Sequence, residues 1–178
     1  MARLTSMNWV LIACVAIVGL AAGLYFGNRT LESTPPALRP ATGLLGTTLP
    51  DSEGRQQSIG QWRGKVVVVN FWATWCAPCR EEMPLFVRVQ NELGPRGLQF
   101  VGIAVDQVEK VAPFARELGL NYPVLIGGYG AMELSRSLGN TVMALPFTVV
   151  IDRRGNIAYE QLGVIKPATL QRTLATLL

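Results

Sequence analysis

Val66-Val67-Val68-Val69-Asn70-Phe71-Trp72-Ala73-Thr74-Trp75-Cys76-Ala77-Pro78-Cys79-Arg80-Glu81-Glu82-Met83-Pro84 joins two patterns of different period. The first seven residues form a continuous β-branched and aromatic run. Such a run predicts a short strand buried on both faces, as at the centre of an α/β sheet. From Cys76 onward Leu85, Val89 and Leu93 recur at helical spacing, so a helix starts at Cys76 and Gly94-Pro95 ends it. A Cys-x-x-Cys pair therefore opens a helix directly after a buried strand.

Elements extend outward in both directions. Upstream, residues 44–49 and 56–59 flank Pro50-Asp51-Ser52-Glu53-Gly54, which predicts a hairpin. Downstream the pattern gives a strand over 99–105, a helix over 108–118, a short strand over 123–126 and a helix over 131–138 that Gly139 closes. Strands over 147–151 and 157–162 turn about Asp152-Arg153-Arg154-Gly155-Asn156 and pair antiparallel. Pro167 opens a last helix, to 177. Alternating strands and helices followed by a hairpin and helix make a mixed-sheet α/β layer architecture.

The N-terminal 40 residues differ in character. No charged residue lies between Leu4 and Asn28, and the run from Trp9 to Phe26 is almost wholly apolar. About 20 helical residues cross a hydrocarbon core of ~30 Å. The sequence thus divides into a short segment 1–6, a transmembrane anchor over 7–27, a Pro-rich linker over 28–42 and a domain over 43–178. A cleaved signal ending near Ala21-Ala22-Gly23 and a lipoprotein signal at Cys14 are the alternatives to an anchor. Beyond residue 30 the chain holds 14 Lys and Arg against 12 Asp and Glu, with no basic block, so the charge pattern gives nucleic-acid binding no support.

Three cysteines and no histidine narrow the chemistry. Cys/His zinc sites, Cys–His catalytic pairs and c-type haem attachment all need a histidine. With Cys14 in the apolar run, Cys76 and Cys79 stand alone in the domain. A structural or half-metal CxxC is the competing reading, but no second ligand pair exists. The thiolate is the nucleophile of disulfide exchange, and a helix N-terminus favours an anion. Cys76 is then the attacking thiol with a lowered pKa, Cys79 the more buried resolving thiol, and Ala77 and Pro78 bias the balance between thiol and disulfide.

The run 67–84 resembles the active-site segment of TlpA/ResA-type proteins, membrane-anchored extracytoplasmic members of the thioredoxin superfamily. The resemblance covers roughly residues 43–178. It implies a thioredoxin-like fold: a central mixed sheet flanked by helices, with an N-terminal β-hairpin extension and an inserted βα element, preceded by one transmembrane helix. It places Pro146 in a cis-proline loop, Ala144-Leu145-Pro146-Phe147-Thr148, facing the disulfide, with Leu145 binding substrate backbone; an ordinary trans-proline is the alternative. Trp75 and Pro78 belong to the same substrate-facing surface, while Trp72 suits the core. Glu82 matches an acidic residue that tunes the cysteines and can move a proton, the alternative being a solvated helix-face glutamate. Asn70 stands where thioredoxin has a buried aspartate, which leaves Glu82 as the internal acid.

The resemblance further implies a protein-disulfide reductase with no cofactor beyond the redox-active pair Cys76–Cys79, and no metal. Its substrates would be oxidised extracytoplasmic proteins such as apocytochrome c, and a membrane electron-donor protein would re-reduce it. A disulfide-forming oxidase, a thiol peroxidase and a copper-binding assembly factor compete. The peroxidase lacks a separate peroxidatic cysteine and the copper factor lacks a histidine. A single-pass protein of a bacterial cell membrane, with its dithiol domain on the extracytoplasmic side, fits a compartment where disulfides form.

Overall fold

The computed structural model describes residues 15–19 and 39–178. Leu38–Leu178 forms one compact unit. Residues 15–19 are helical and exposed, and the rest of the anticipated span over 7–27, the Cys14 alternative and most of the 28–42 linker lie outside the described residues. No helix among the described residues is long and apolar enough to cross a membrane.

The central strand is β4 (Val66–Trp72), and all seven of its residues are buried. It pairs in parallel with β5 (Leu98–Ala104), from Val66↔Leu98 to Trp72↔Ala104. On its other side it pairs antiparallel with β7 (Phe147–Ile151), with Phe71 opposite Phe147. The short β6 (Val124–Ile126) lies parallel to β5, and β8 (Asn156–Leu162) lies antiparallel to β7. The edge strand β1 (Arg39–Pro40) completes a six-stranded sheet of order β1-β8-β7-β4-β5-β6.

Helices cover both faces. Val67, Val69 and Phe71 point to the side packed by α1 (Thr42–Leu45) and α4 (Gly130–Ser137), through Leu44, Leu45 and Ala131. Val66 and Val68 meet α2 (Ala77–Leu93) and α5 (Pro167–Ala175), through Phe86, Val89, Leu170 and Leu174. Trp72 extends that layer to α3 (Val108–Glu117), where Val111 and Phe114 pack. A Cβ at Gly102 of β5 would sit 2.9 Å from the Trp72 indole nitrogen, so the missing side chain is what lets the large ring lie against the sheet.

Three features depart from the sequence reading. Arg39–Pro40, inside the anticipated linker, pairs with Ile157 and Asn156 of β8. Proline is excluded from central strands by its missing N–H but is tolerated at an edge. Residues 44–49 are not one strand. Thr42–Leu45 is a helical turn, because Leu44 and Leu45 are both buried in one core and neighbours in a strand face opposite sides. The hairpin shrinks to β2 (Thr48–Pro50) and β3 (Gln56–Ser58), followed by a 3₁₀ turn over Ile59–Trp62. Asp51 bridges Leu125, so the hairpin also covers the β6 edge.

Phe86 is fully buried and stacks on Phe100 with ring centroids 5.0 Å apart. Phe86→Ala is expected to cost about 3–5 kcal/mol in urea denaturation of the oxidised protein. A loss below about 1 kcal/mol would show that α2 is not held by this contact.

Candidate active site

Beyond β4 the chain turns through Ala73, Thr74 and Trp75 and delivers Cys76 as the N-cap of α2. Cys76 Sγ accepts a hydrogen bond from the Cys79 N–H at 3.3 Å, one of the free donors at the helix start. Pro78 sits in the first turn, where its missing N–H is no loss. Cys76 and Cys79 are joined as a disulfide. Cys76 is 5 % exposed and Cys79 fully buried, while Ala77, Pro78 and Trp75 face solvent.

A hydrogen bond ties this loop to the sheet. Thr74 Oγ1 donates to Asp106, which follows β5, and Asp106 also accepts the Gln107 N–H and lies 3.9 Å from Lys110 Nζ. Burial works to raise the Asp106 pKa, but the Thr74 and Gln107 hydrogen bonds and the Lys110 charge outweigh it and hold the carboxyl below its ordinary value.

The Leu145–Pro146 peptide is cis. Leu145 packs against the cluster formed by Trp72, Cys76, Cys79 and Met83. Pro146 is buried, and its carbonyl accepts the Gly163 N–H at 2.8 Å, which brings the end of β8 to the same place. The structure thus gathers Leu145 and both cysteines around one spot, with Trp75 and Pro78 on the adjoining surface.

Glu82 lies one turn beyond Cys79 and is 2 % exposed, not solvated. Its Oε1 accepts from Asn70 Nδ2 at 2.9 Å and its Oε2 from the Ile165 N–H at 3.1 Å. Asn70 Nδ2 also reaches Thr148 Oγ1 at 3.0 Å. Burial disfavours the charged form and pushes the Glu82 pKa up to about 7, the two hydrogen bonds holding it back. Tyr122, buried on the same side of the sheet, has its phenol raised by burial and by the Glu82 charge.

Sequence reasoning missed Asp106, Thr148, Ile165 and Asn140. The first three act through pairings made across the fold, which no local pattern marks. Asn140 follows the Gly139 that closes the predicted helix and carries no signal of its own in the sequence. In the structure it is 1 % exposed and clamps the following loop: its Nδ2 donates to Ser135 Oγ and the Ala144 carbonyl, and its Oδ1 accepts the Ala144 N–H.

The redoxin family model matches residues 33–177. The chain belongs to the redoxin family. A ResA thiol-disulfide oxidoreductase of Bacillus thuringiensis subsp. konkukian is 32 % identical over 86 % of this chain and 84 % of that protein. That of Geobacillus kaustophilus is 28 % identical over 98 % of this chain and 96 % of that protein. A crystal structure of a thiol:disulfide interchange protein from Chlorobium tepidum superposes with a TM-score of 0.69 at 30 % identity, covering 82 % of this chain and 99 % of that one. Within the redoxin family the chain is therefore a TlpA/ResA-type thiol–disulfide oxidoreductase with the thioredoxin-like fold.

Glu82 makes this redoxin domain pH-sensitive. Its carboxyl titrates near 4.5 when unfolded and about 7 when folded, so the folded state holds the proton more tightly. Stability is unaffected below the lower value and falls as pH rises through the window, by about 3 kcal/mol in all at about 1.4 kcal/mol per unit. Urea denaturation of the oxidised protein at pH 5 and pH 8 should show this drop in the wild type and little of it in Glu82→Gln. Equal drops in both proteins would place the titration elsewhere.

Proposed function

We propose that the chain is a membrane-tethered protein-disulfide reductase acting on the extracytoplasmic side of a bacterial cell membrane. The observation that carries the reading is the position of Cys76 as N-cap of α2, its sulfur aimed at a free backbone donor, with the fully buried Cys79 bonded to it. A thiolate at Cys76 gains the N–H at the helix terminus, whereas one at Cys79 is fully buried with no donor to its sulfur among the described residues. Attack therefore starts at Cys76.

The Cys76 thiolate attacks one sulfur of a partner disulfide, and the other partner sulfur leaves as a thiolate that takes up a proton. Cys79 then loses its proton and attacks Cys76 Sγ in the mixed disulfide, releasing the second partner thiol. Two electrons and two protons pass to the partner, and Cys76–Cys79 returns to the disulfide. Glu82, with a pKa of about 7 and one turn from Cys79, is the internal group suited to take the Cys79 proton. Trp75, Pro78, Leu145 and Pro146 form the surface that meets the partner. No cofactor is needed beyond the dithiol itself.

The apolar run over 7–27 supplies the tether, and the resemblance to TlpA/ResA-type proteins supports the rest of the assignment. Its partners are oxidised extracytoplasmic proteins, apocytochrome c among them, and a membrane electron-donor protein that restores the dithiol. The charge pattern still offers nothing for nucleic acid.

Cys79→Ala should accumulate covalent, dithiothreitol-cleavable adducts with oxidised partners in the cell envelope, and Cys76→Ala should not. A folded Cys79→Ala protein that traps nothing would remove the exchange mechanism. The reduction potential of the pair, read by alkylation after equilibration in graded thiol buffers, should lie near or below about −270 mV. A value near about −120 mV would make the protein a disulfide donor and reverse the direction of electron flow.

A further inference from the structure

The disulfide occupies one end of the sheet, and the opposite end is basic. Arg63 and Lys65 lie in the turn that enters β4, Arg96 in the turn that enters β5, and Arg153 and Arg154 in the turn between β7 and β8. The pairings Val66↔Leu98 and Val67↔Ile151 bring these three turns to one edge of the sheet. Direct bonds join them. The Val66 N–H donates to the Gly97 carbonyl at 3.0 Å, and Arg153 Nη2 donates to the Arg96 carbonyl at 3.4 Å. All five cations are exposed. The sequence shows no basic block because they come from positions spread between 63 and 154.

This charge is not neutralised within the domain. Among the described residues the ion pairs belong to Arg39, Arg55, Lys110 and Arg136. Arg153 is occupied by backbone, since it also donates to the Leu178 oxygen at 3.1 Å. Arg63, Lys65, Arg96 and Arg154 face water. The acidic side chains at this end are Asp152 and Glu92. Asp152 is taken up by its own turn, where it accepts the Arg154 N–H at 2.9 Å and the Asn156 N–H at 2.8 Å. Residues 39–178 hold 14 Lys and Arg against 11 Asp and Glu. Five and two of these stand here, so nine face nine elsewhere and this end carries the whole formal excess. Beside it a groove of about 260 Å³ opens between the ends of α2 and α5, lined by Val89, Leu93, Ala175 and Leu178 with Glu92 and Arg96 at its rim. Free cations next to an apolar groove suit an amphiphile with a negative head better than a purely ionic polymer.

We propose that this end of the domain docks on the anionic headgroups of the bilayer that holds its tether. The inference rests on the membrane-tethered reading above and adds an interaction surface to it. The eleven residues 28–38 reach at most about 40 Å, which keeps a tethered domain beside its bilayer. Arg39, the first residue of β1, pairs with Ile157, three residues from Arg154. Each cation within a Debye length of an anionic surface raises the docked population about fivefold, and four act together here. The seven residues of β4 rise about 23 Å from this end toward Cys76. A docked domain therefore turns its disulfide away from the lipid and presents it to partners in the aqueous compartment.

The test uses the full-length protein in nanodiscs of phosphatidylcholine alone or of equal parts phosphatidylcholine and phosphatidylglycerol. The three lysines of the chain report on it. Lys65 lies at the basic end, while Lys110 and Lys166, at the starts of α3 and α5, lie toward the disulfide end. Acetylation by a water-soluble succinimidyl ester is followed at each lysine by mass spectrometry. In low salt Lys65 should react about tenfold more slowly on the mixed discs, and Lys110 and Lys166 should change by less than about twofold. Sodium chloride at about 0.5 M should abolish the difference. In Arg96→Gln/Arg154→Gln the protection of Lys65 should fall to within about twofold, with reduction of hydroxyethyl disulfide unchanged. Equal Lys65 rates on the two discs, equal slowing of all three lysines, or protection that survives in the double variant would overturn the docking proposal. Full-length protein that elutes apart from both kinds of disc would overturn the tethered reading and the docking proposal with it.

Discussion

Every side chain of β4 is out of water, and that single condition organises the domain. A strand apolar on both faces is stable only as the middle of three layers, so the chain needs helices above and below it. It also needs partners on both edges, which β5 and β7 provide along its length. The loop leaving such a strand has little freedom. Its carbonyl end is pinned by the Val105 N–H bond to Trp72, and Thr74 is bonded to Asp106. The cysteine that follows is consequently placed at a helix terminus by a fully buried strand and a loop held at two points, which together make a stiff support. A nucleophile that has to meet a second sulfur in one geometry gains from that stiffness.

The same burial creates the chemistry of Glu82. A carboxyl among Phe86, Tyr122 and Asn70 has lost most of its hydration, and two neutral hydrogen-bond donors do not replace a counter-charge. The group is left undecided between its two states near neutral pH. One of those donors is the backbone of Ile165, after β8, so the helix that carries the cysteines is also fastened to the segment that leaves β8 on the same face of the sheet. Asn70 reaches both Glu82 and Thr148 from β4. A neutral amide at that position lets one carboxyl stand in the interior without a second one to repel it.

Much of this was legible in the sequence for definite reasons. Val66 to Trp72 has only one plausible state, and the helix after it is marked by Leu85, Val89 and Leu93 as well as by Gly94-Pro95. The strands on either side of Asp152–Asn156 were equally plain. The hairpin was harder. Leu44 and Leu45 carry the same hydrophobicity whether they belong to a strand or to a helical turn, and only the core they share decides. Pro40 argued against pairing and pairs nonetheless, because the rule against proline concerns central strands. Glu82 could be picked out by the resemblance of its segment to TlpA/ResA-type proteins, but its burial depends on Ile165, 83 residues away. Asn140 and Asp106 had no visible signature, since a clamp is defined by what it holds.

The two-residue strand at Arg39–Pro40 has a mechanical consequence. It is the outermost strand, with β8 and β7 between it and β4. A pull on the N-terminal side loads the short Arg39–Ile157 and Pro40–Asn156 pairing first. The long ladders on either side of β4 carry load only after that pairing has opened. The domain can therefore take a pull on its N-terminal side and keep its sulfur atoms in register.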